Sequence, residues 1–417
     1  MIGLVSGSHL VNHAYLLVVA PLVATLAAAF DVGIAEIGLA LGVQQAVVVA
    51  LQLPFGHLAD RVSRSLVLGI SLAVGTVGTA MTALAPSYPW LLVAQAVLGV
   101  GIAAHHPAHY PLLAAVSDSG SRGRAYSLHG FGGAVGLAVP YAVVSGVTAL
   151  GGDWRTAIGL VAVLGGLYAV GALLVLRRVP SAVTRPPRGP DDAAPGLSGT
   201  RTGALVGRLR RRTRRGFARL RRAPGIVGLT LLAFVTSSAA WCIRTYAPQL
   251  LGTYGLSPEA ANAATSAMLV CSAGSILLGG ELSDRLGAGR VVVGGYLALV
   301  VLTGLLAARL LPAAAFALAL TLPLSGTISV TRPARSALAD RLSARADLGK
   351  NFALITVGIS LGGTVAPPAF GWLIDAATVE HAFGVVAGLG VASLCAAAWL
   401  VARSDSPAPT SEVAAGD

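Results

Sequence analysis

The stretch Gly56-His57-Leu58-Ala59-Asp60-Arg61 occurs a second time, 224 residues later, as Gly280-Glu281-Leu282-Ser283-Asp284-Arg285. Each copy follows an apolar run of roughly 20 residues, the length that a helix needs to cross a bilayer. Pro107-Ala108 likewise corresponds to Pro333-Ala334 at an offset of 226 residues. Several matches at nearly one offset indicate two related halves, the parallel repeat found in transporters.

The amino-acid composition excludes a soluble globular protein. Hydrophobic residues make up 55% of the 417 residues and charged residues only 11%, whereas soluble domains carry about 25% charged residues. Lipid must therefore surround much of the chain. The bilayer interior has no water to bind backbone groups, so spanning segments are helices or closed barrels. Apolar runs of about 20 residues favour helices over the shorter, alternating strands of a barrel.

The pattern predicts an all-α integral membrane protein with twelve transmembrane helices in two pseudo-symmetric bundles of six. We expect an N-terminal bundle over 1–177, a basic linker over 178–225, a C-terminal bundle over 226–403 and a disordered tail over 404–417. The first apolar run begins near Met1 without a basic region before it, so no cleaved signal peptide is expected. The predicted spans are 4–29, 37–59, 65–85, 90–116, 124–148, 155–177, 226–251, 260–282, 290–309, 312–341, 350–373 and 381–402.

Arginines and lysine predict the orientation, because cytoplasmic loops of membrane proteins carry an excess of both. If the N-terminus is cytoplasmic, the outside loops hold only Arg155 and Arg309, and the inside segments hold the remaining loop cations. We therefore expect a multi-pass protein of a bacterial-type cytoplasmic (inner) membrane, with both termini and the linker cytoplasmic. A monomer is expected.

The repeated G-x-L-x-D-R element resembles the signature of the major facilitator superfamily over essentially the whole chain outside the linker and tail. Arg64 and Arg290 match the basic residue that follows the element in the family. The resemblance implies the twelve-helix fold of that family and secondary active transport by alternating access. The stretch from Gly132 to Pro140 resembles, in part, a Gly/Pro-rich motif of exporters and antiporters, which implies efflux.

A second, weaker resemblance is to the fosmidomycin-resistance-like branch of drug exporters. It is carried by Gly7-Ser8-His9, by Asn12-His13 and by His106-Pro107. This branch implies proton-coupled drug resistance, but Ala108 stands where the branch has an acidic residue after His-Pro.

The repeated element predicts a gate. A carboxylate at a helix end can cap a neighbouring helix and pair with arginine, and small residues allow helices to approach closely. We expect such pairs to hold the cytoplasmic side closed and to break on switching. The alternative is that these charges only fix topology. The predicted gating residues are Gly56, Asp60, Arg61, Arg64, Gly280, Asp284, Arg285 and Arg290.

Ionisable and polar groups at bilayer depth predict the substrate site, because such groups are costly in lipid and usually line a cavity. No Asp or Glu falls clearly in the middle of a span, so histidines, with an ordinary pKa near 6.5, are the candidate proton carriers. Arginine without a nearby carboxylate predicts an anionic solute. The predicted substrate-binding residues are His9, Asn12, His13, His106, His109, His129, Arg244 and Arg332.

Structural roles without substrate binding are the alternative for these residues. Arg332 and Arg335 could pair with Asp340, Arg244 could extend toward the interface, and buried histidines are often hydrogen-bonded packing groups. A membrane enzyme using His105, His106 and His109 is a second hypothesis. Consecutive positions on a helix diverge by about 100°, so the three are not expected to ligate one metal ion. No metal or other cofactor is predicted.

The remaining hypotheses concern partners and scaffold. Residues 201–222 combine many arginines with leucines at helical spacing, which predicts a helix on anionic lipid. No aromatic or modular feature favours nucleic acid. No phosphate-binding motif of an ATPase occurs, which argues against ATP drive. A non-transporting receptor on the same scaffold is a third alternative.

Overall fold

The computed structural model describes residues 1–118, 122–185, 224–310, 313–341 and 348–404. The predicted lipid-binding segment 201–222 and the tail after Ser404 lie outside the described residues.

Twelve helices in the described ranges are long and apolar enough to cross a membrane. All predicted spans correspond to one of them, which confirms the all-α class and the twelve helices. They are α1 Ile2–Phe30, α2 Ile34–Arg61, α3 Arg64–Ala83, α4 Tyr88–Ala115, α5 Gly123–Ala149, α6 Trp154–Leu176, α7 Gly225–Thr253, α8 Pro258–Leu286, α9 Ala288–Ala307, α10 Ala314–Asp340, α11 Leu354–Ala376 and α12 Val379–Arg403.

Three of these spans are interrupted. In α1 the regular helix ends at Leu16 and resumes at Val23 after a single 3₁₀ turn that contains Pro21. The helix in α5 breaks between Gly136 and Val139, one residue before Pro140, and α10 breaks at Val330, shortly before Pro333. Proline has no backbone N–H to donate to the preceding turn, which explains why the breaks fall beside prolines.

Polar side chains cap the N-termini of three helices. Side chains of Ser63, Asp153 and Ser257 accept hydrogen bonds from the backbone N–H groups of Leu66, Thr156 and Ala260 at the first turns of α3, α6 and α8. These bonds satisfy amides that have no partner within the helix. Asp153 is exposed, and the hydrogen bonds from Thr156 lower the pKa of its carboxyl.

The six helices of each half pack in the same arrangement. In the N-terminal half α1 packs on α5, α2 on α4 and α3 on α6, and in the C-terminal half α7 packs on α11, α8 on α10 and α9 on α12. The outward faces are apolar: α6, for example, exposes Val163, Leu164 and Leu167. An apolar exterior on every side of a helical bundle requires lipid as the surrounding medium.

Glycines repeat the same backbone contact in both halves. A Cβ placed at Gly132 would lie 2.9 Å from the carbonyl oxygen of Ser6 on α1, and one at Gly362 would lie 2.9 Å from that of Phe234 on α7. Gly136 faces Leu10 and Gly358 faces Thr230 even more closely. These matching contacts make α1–α5 and α7–α11 equivalent close-packed pairs.

Candidate functional site

The two halves meet at the end of the molecule where α2 begins and α11 ends. We call this the Asp375 end. The carboxylate of Asp375 accepts hydrogen bonds from the backbone N–H groups of Ile34 at 2.9 Å and Ala35 at 2.8 Å. A Cβ at Gly42 would lie 2.8 Å from the carbonyl oxygen of Thr364, and Gly38 lies closer still to the backbone of Pro367. Backbone-to-backbone contact of this kind leaves no passage between α2 and α11.

The second seam between the halves lies on α5 and α8, again toward the Asp375 end. The hydroxyl of Ser266 donates to the carbonyl oxygen of Ala138 at 3.0 Å. Nearby, the phenol of Tyr141 donates a short hydrogen bond to the carbonyl oxygen of Arg244 on α7. Tyr141 was not predicted from the sequence, because its role depends on a partner in the other half.

The opposite end of the molecule carries the repeated G-x-L-x-D-R element, and we call it the Asp60 end. A Cβ at Gly56 would meet only Pro107 of the same half, at 4.0 Å, and one at Gly280 would meet nothing within 4 Å. Neither glycine therefore makes the predicted close helix contact in this conformation. The halves are joined at the Asp375 end, whereas Gly56 and Gly280 have no neighbour from the opposite half among the described residues.

The other predicted gating residues lie at this same end. Asp60 and Arg61 are exposed. Arg285 forms its ion pair within its own helix, with Glu281 at 2.5 Å, and Arg290 donates to the carbonyl oxygen of Leu286 at 3.4 Å. Among the described residues, Asp60, Arg64 and Asp284 form no ion pair.

Three arginines of the C-terminal half converge on the space between the halves. Arg332 is exposed there, while Arg244 and Arg335 are partly buried. Arg332 lies near enough to interact electrostatically with the other two. Arg335 donates to the hydroxyl of Thr236 at 2.7 Å. Within the described ranges none of the three pairs with a carboxylate, so the alternative of a pair with Asp340 is not what the structure shows.

Six histidines of the N-terminal half form one cluster against these arginines. They come from α1, α4 and α5, and neighbouring ring centroids are 4.2–6.0 Å apart. Arg332 interacts electrostatically with both His13 and His106, which places the cluster opposite the arginines. The six are His9, His13, His105, His106, His109 and His129.

The helices fix the imidazoles through backbone and side-chain partners. The Nδ1 atom of His9 lies 2.9 Å from the carbonyl oxygen of His129, and Nδ1 of His13 lies 2.7 Å from that of Gly133. The Nε2 atoms of His9 and His13 are 3.1 Å apart. Spacing of four residues on α1 puts both rings on one face, and the close approach of α5 supplies the two carbonyls.

Burial separates the predicted substrate-binding residues into two groups. His13, His106 and Arg244 are partly exposed and Arg332 is exposed, so these four can touch a solute that enters between the halves. The others are at most 6% exposed and lie behind this surface: His9, Asn12, His109 and His129. The amide of Asn12 donates to Ser71 at 3.4 Å.

His105 corrects one expectation from the sequence. Its ring was expected to point away from those of His106 and His109, yet nitrogens of all three lie within 4.8 Å of one another. The rings of His105 and His106 have centroids 5.8 Å apart and planes at 82°. Consecutive Cα atoms differ in direction by about 100° around the helix axis. Rotation about the Cα–Cβ bonds nevertheless turns the imidazoles toward the same space.

Comparisons with known proteins agree with this architecture. The family model described as Major Facilitator Superfamily matches residues 5–243 and 229–416. Among curated proteins, the niacin transporter NiaP of Acinetobacter baylyi is 29% identical over 31% of this chain and 28% of its own length. Protein spinster of Drosophila melanogaster is 25% identical over 45% of this chain and 28% of its own length. These alignments thus span less than a third of either relative.

Solved structures are similar over nearly the whole chain. A bacterial homolog of the human lysosomal transporter Spinster, in an inward-facing and unoccupied conformation, has a TM-score of 0.71 at 17% identity, covering 97% of this chain and 92% of its own. The nucleoside transporter NupG has a TM-score of 0.72 at 13% identity, covering 95% and 99%. None of these four proteins is described as a drug exporter, so they do not support the fosmidomycin-resistance-like branch. With its twelve helices, its paired halves and a family match along its length, the chain belongs to the Major Facilitator Superfamily and is a multi-pass membrane protein.

Proposed function

We propose that this transporter moves a small anionic solute across the membrane by alternating access, with Arg244 and Arg332 as the anion-binding residues. The observation that carries the proposal is the convergence of these arginines, with Arg335, on the space between the halves without a described carboxylate partner. Arg244 and Arg335 are partly withdrawn from water, and an anion would offset the hydration that their guanidinium groups lose. A carboxylate or phosphonate fits the two-pronged geometry of guanidinium.

Alternating access is supported by the asymmetry of the two ends. The halves contact each other through Asp375, Gly38 and Gly42 at one end, whereas Gly56 and Gly280 have no neighbour from the opposite half at the other. We propose that this is the state open at the Asp60 end, and that the other state closes that end with Asp60 and Asp284 pairing with arginines. From the charge bias of the loops, the Asp60 end faces the cytoplasm.

Proton coupling is supported by the histidines that face the arginines. His13 and His106 are partly exposed and lie opposite Arg332. An anion bound at Arg332 would lower the cost of a proton on either ring, and loss of the anion would raise it, because opposite charges favour the protonated form. Binding of the solute and of a proton would thus favour each other.

The direction of transport is not proposed from the glycines of α5. Gly132 and Gly136 make the same contact with α1 that Gly358 and Gly362 make with α7. Because this contact is present in both halves, it is a feature of the fold and does not indicate whether the solute is exported or imported.

The experiment is a counterflow screen with purified protein in proteoliposomes, using matched small carboxylates, phosphonates and quaternary ammonium compounds, with and without a pH gradient. We expect exchange of anions only, lost in Arg244→Gln and Arg332→Gln and kept in Arg178→Gln, a control in an exposed loop. Exchange of cations alone would refute anion transport. Anion exchange that is indifferent to the pH gradient would refute the proton coupling.

A further inference from the structure

The tautomers of His9 and His13 are determined by their partners. Each Nδ1 atom lies within hydrogen-bond distance of a backbone carbonyl oxygen, His129 for one ring and Gly133 for the other. A carbonyl oxygen only accepts hydrogen bonds, so both Nδ1 atoms must carry hydrogen. In two neutral imidazoles both Nε2 atoms then carry lone pairs.

Those two lone pairs face each other. The Nε2 atoms are 3.1 Å apart, and neither has a hydrogen to donate to the other. Two lone pairs at this distance repel unless a cation lies between them, either a proton or a metal ion. Two nitrogens bound to one tetrahedral Zn²⁺ at 2.0–2.1 Å would be about 3.3 Å apart, close to the separation observed.

The neighbouring histidines do not raise the same conflict. Ser8 donates to the carbonyl oxygen of Val5 and accepts from Nε2 of His105, whose Nδ1 accepts from Nδ1 of His109. Neutral imidazoles satisfy these donors and acceptors without two lone pairs facing each other, although Nε2 of His109 is buried without a hydrogen-bond partner among the described residues. The need for a cation is therefore specific to the pair on α1.

A third ligand is available. Nitrogens of His9, His13 and His106 lie within 4.8 Å of one another, and His13 and His106 are partly exposed to the cavity. We propose that Nε2 of His9, Nε2 of His13 and a ring nitrogen of His106 bind one divalent transition-metal ion of the Zn²⁺ class. Three imidazoles with an open fourth position are typical of sites for Zn²⁺ and its neighbours, while Mg²⁺ and Ca²⁺ require oxygen ligands.

The surroundings of the triad match those of metal-binding histidines. Such histidines donate their second ring N–H to a carbonyl or carboxylate, which fixes the ring and raises the basicity of the ligand nitrogen. The carbonyls of His129 and Gly133 do this for His9 and His13. Arg332 interacts electrostatically with His13 and His106, so an anion is the expected fourth ligand. The ion and a proton would compete for the ring nitrogens of His13 and His106, and the three imidazoles bind the ion whether or not an anionic solute is the cargo.

The test uses full-length protein in detergent, with any affinity tag removed and metal stripped by a chelator. We expect one Zn²⁺ per chain by elemental analysis after dialysis, and the intense visible absorption of four-coordinate Co²⁺ on substitution. His13→Gln and His106→Gln, both at partly exposed positions, should each weaken Zn²⁺ binding at least tenfold. His381→Gln, at the surface of the C-terminal half, should leave it unchanged.

Two results would overturn the proposal. If the wild-type chain binds no Zn²⁺ or Co²⁺ at micromolar concentrations, a shared proton is the cation between His9 and His13. If His109→Gln abolishes binding and His13→Gln does not, the ion belongs to the other triad, His105, His106 and His109. Neither result depends on transport, so failure of the anion proposal leaves this one intact.

Discussion

The carboxylate of Asp375, at the end of α11, accepts a hydrogen bond of 2.9 Å from the backbone N–H of Ile34, at the start of α2. The bond joins the two halves of the transporter. It places a negative charge at a helix N-terminus, where the free amides and the helix dipole favour it. Asp375 thus adds a charged side-chain contact to the close backbone packing of α2 against α11 that closes this end.

Asp375→Ala should favour opening at the Asp375 end. Loss of hydrogen bonds to a carboxylate costs about 1 kcal/mol when the group is exposed, which corresponds to a roughly fivefold shift between the two states. The measurement is the labelling rate of Gln45→Cys by an impermeant thiol reagent from that end, in a chain without its native cysteines. Asp31→Asn, an exposed loop residue at the same end, is the control. Equal labelling rates in the two variants would contradict a role for Asp375 in closure.

Gly133→Ala should disturb the histidine cluster. A Cβ at Gly133 would lie 2.5–2.6 Å from the ring nitrogens of His9, which must then move away from His13. Overpacking of this kind typically costs about 1–3 kcal/mol, so the midpoint of thermal unfolding in detergent should fall. The control Gly130→Ala lies on the same helix and meets nothing within 4 Å. A Gly133→Ala midpoint no lower than that of the control would show that the ring adapts without cost.

Asp60→Asn and Asp284→Asn should each slow transport at least severalfold without reducing insertion or folding. The reason is that the amide keeps the size of the side chain but removes the charge that would pair with arginine in the other state. Initial rates in proteoliposomes, normalised to the amount of folded protein, provide the measurement. Asp340→Asn, an exposed residue at the end of α10, is the matched control. Rates like that of the control in both variants would leave Asp60 and Asp284 as topology signals only.

Arg332→Gln should change the affinities for an anion and for Zn²⁺ in opposite directions. The guanidinium attracts the anion and repels a divalent ion at His13 and His106, with which it interacts. Removing one unit charge nearby should therefore weaken anion binding and strengthen Zn²⁺ binding, each by at least about tenfold at an effective dielectric constant of about 20. Titration calorimetry with each ligand alone separates the two effects. A parallel loss of both affinities would indicate that the variant has lost its local structure.

Residue patterns predicted the architecture because architecture depends on properties that repeat along the chain. The two G-x-L-x-D-R copies and the glycines at 132 and 358 lie at nearly one offset, and the structure gives them equivalent places. Each helix must be long and apolar enough to cross the bilayer. Boundaries predicted from hydropathy therefore agree with the structure to within a few residues at most ends.

The site was predicted less completely because it depends on contacts between helices far apart in the sequence. Spacing of four residues placed His9 and His13 on one face of their helix. That spacing does not predict the hydrogen bonds to the carbonyl oxygens of His129 and Gly133, which determine the tautomers of the two histidines on α1. The convergence of His105 with His106 depends on side-chain direction, which a helical projection of Cα positions does not include.

The division of the site between the halves bears on the history of the chain. A protein that arose by duplication of a six-helix unit began with the same residues in both copies. Here all six clustered imidazoles belong to one copy and the three converging guanidinium groups to the other. The copies have kept a common shape and acquired different chemistry, so a chimaera built from two N-terminal or two C-terminal copies would lack one side of this binding site.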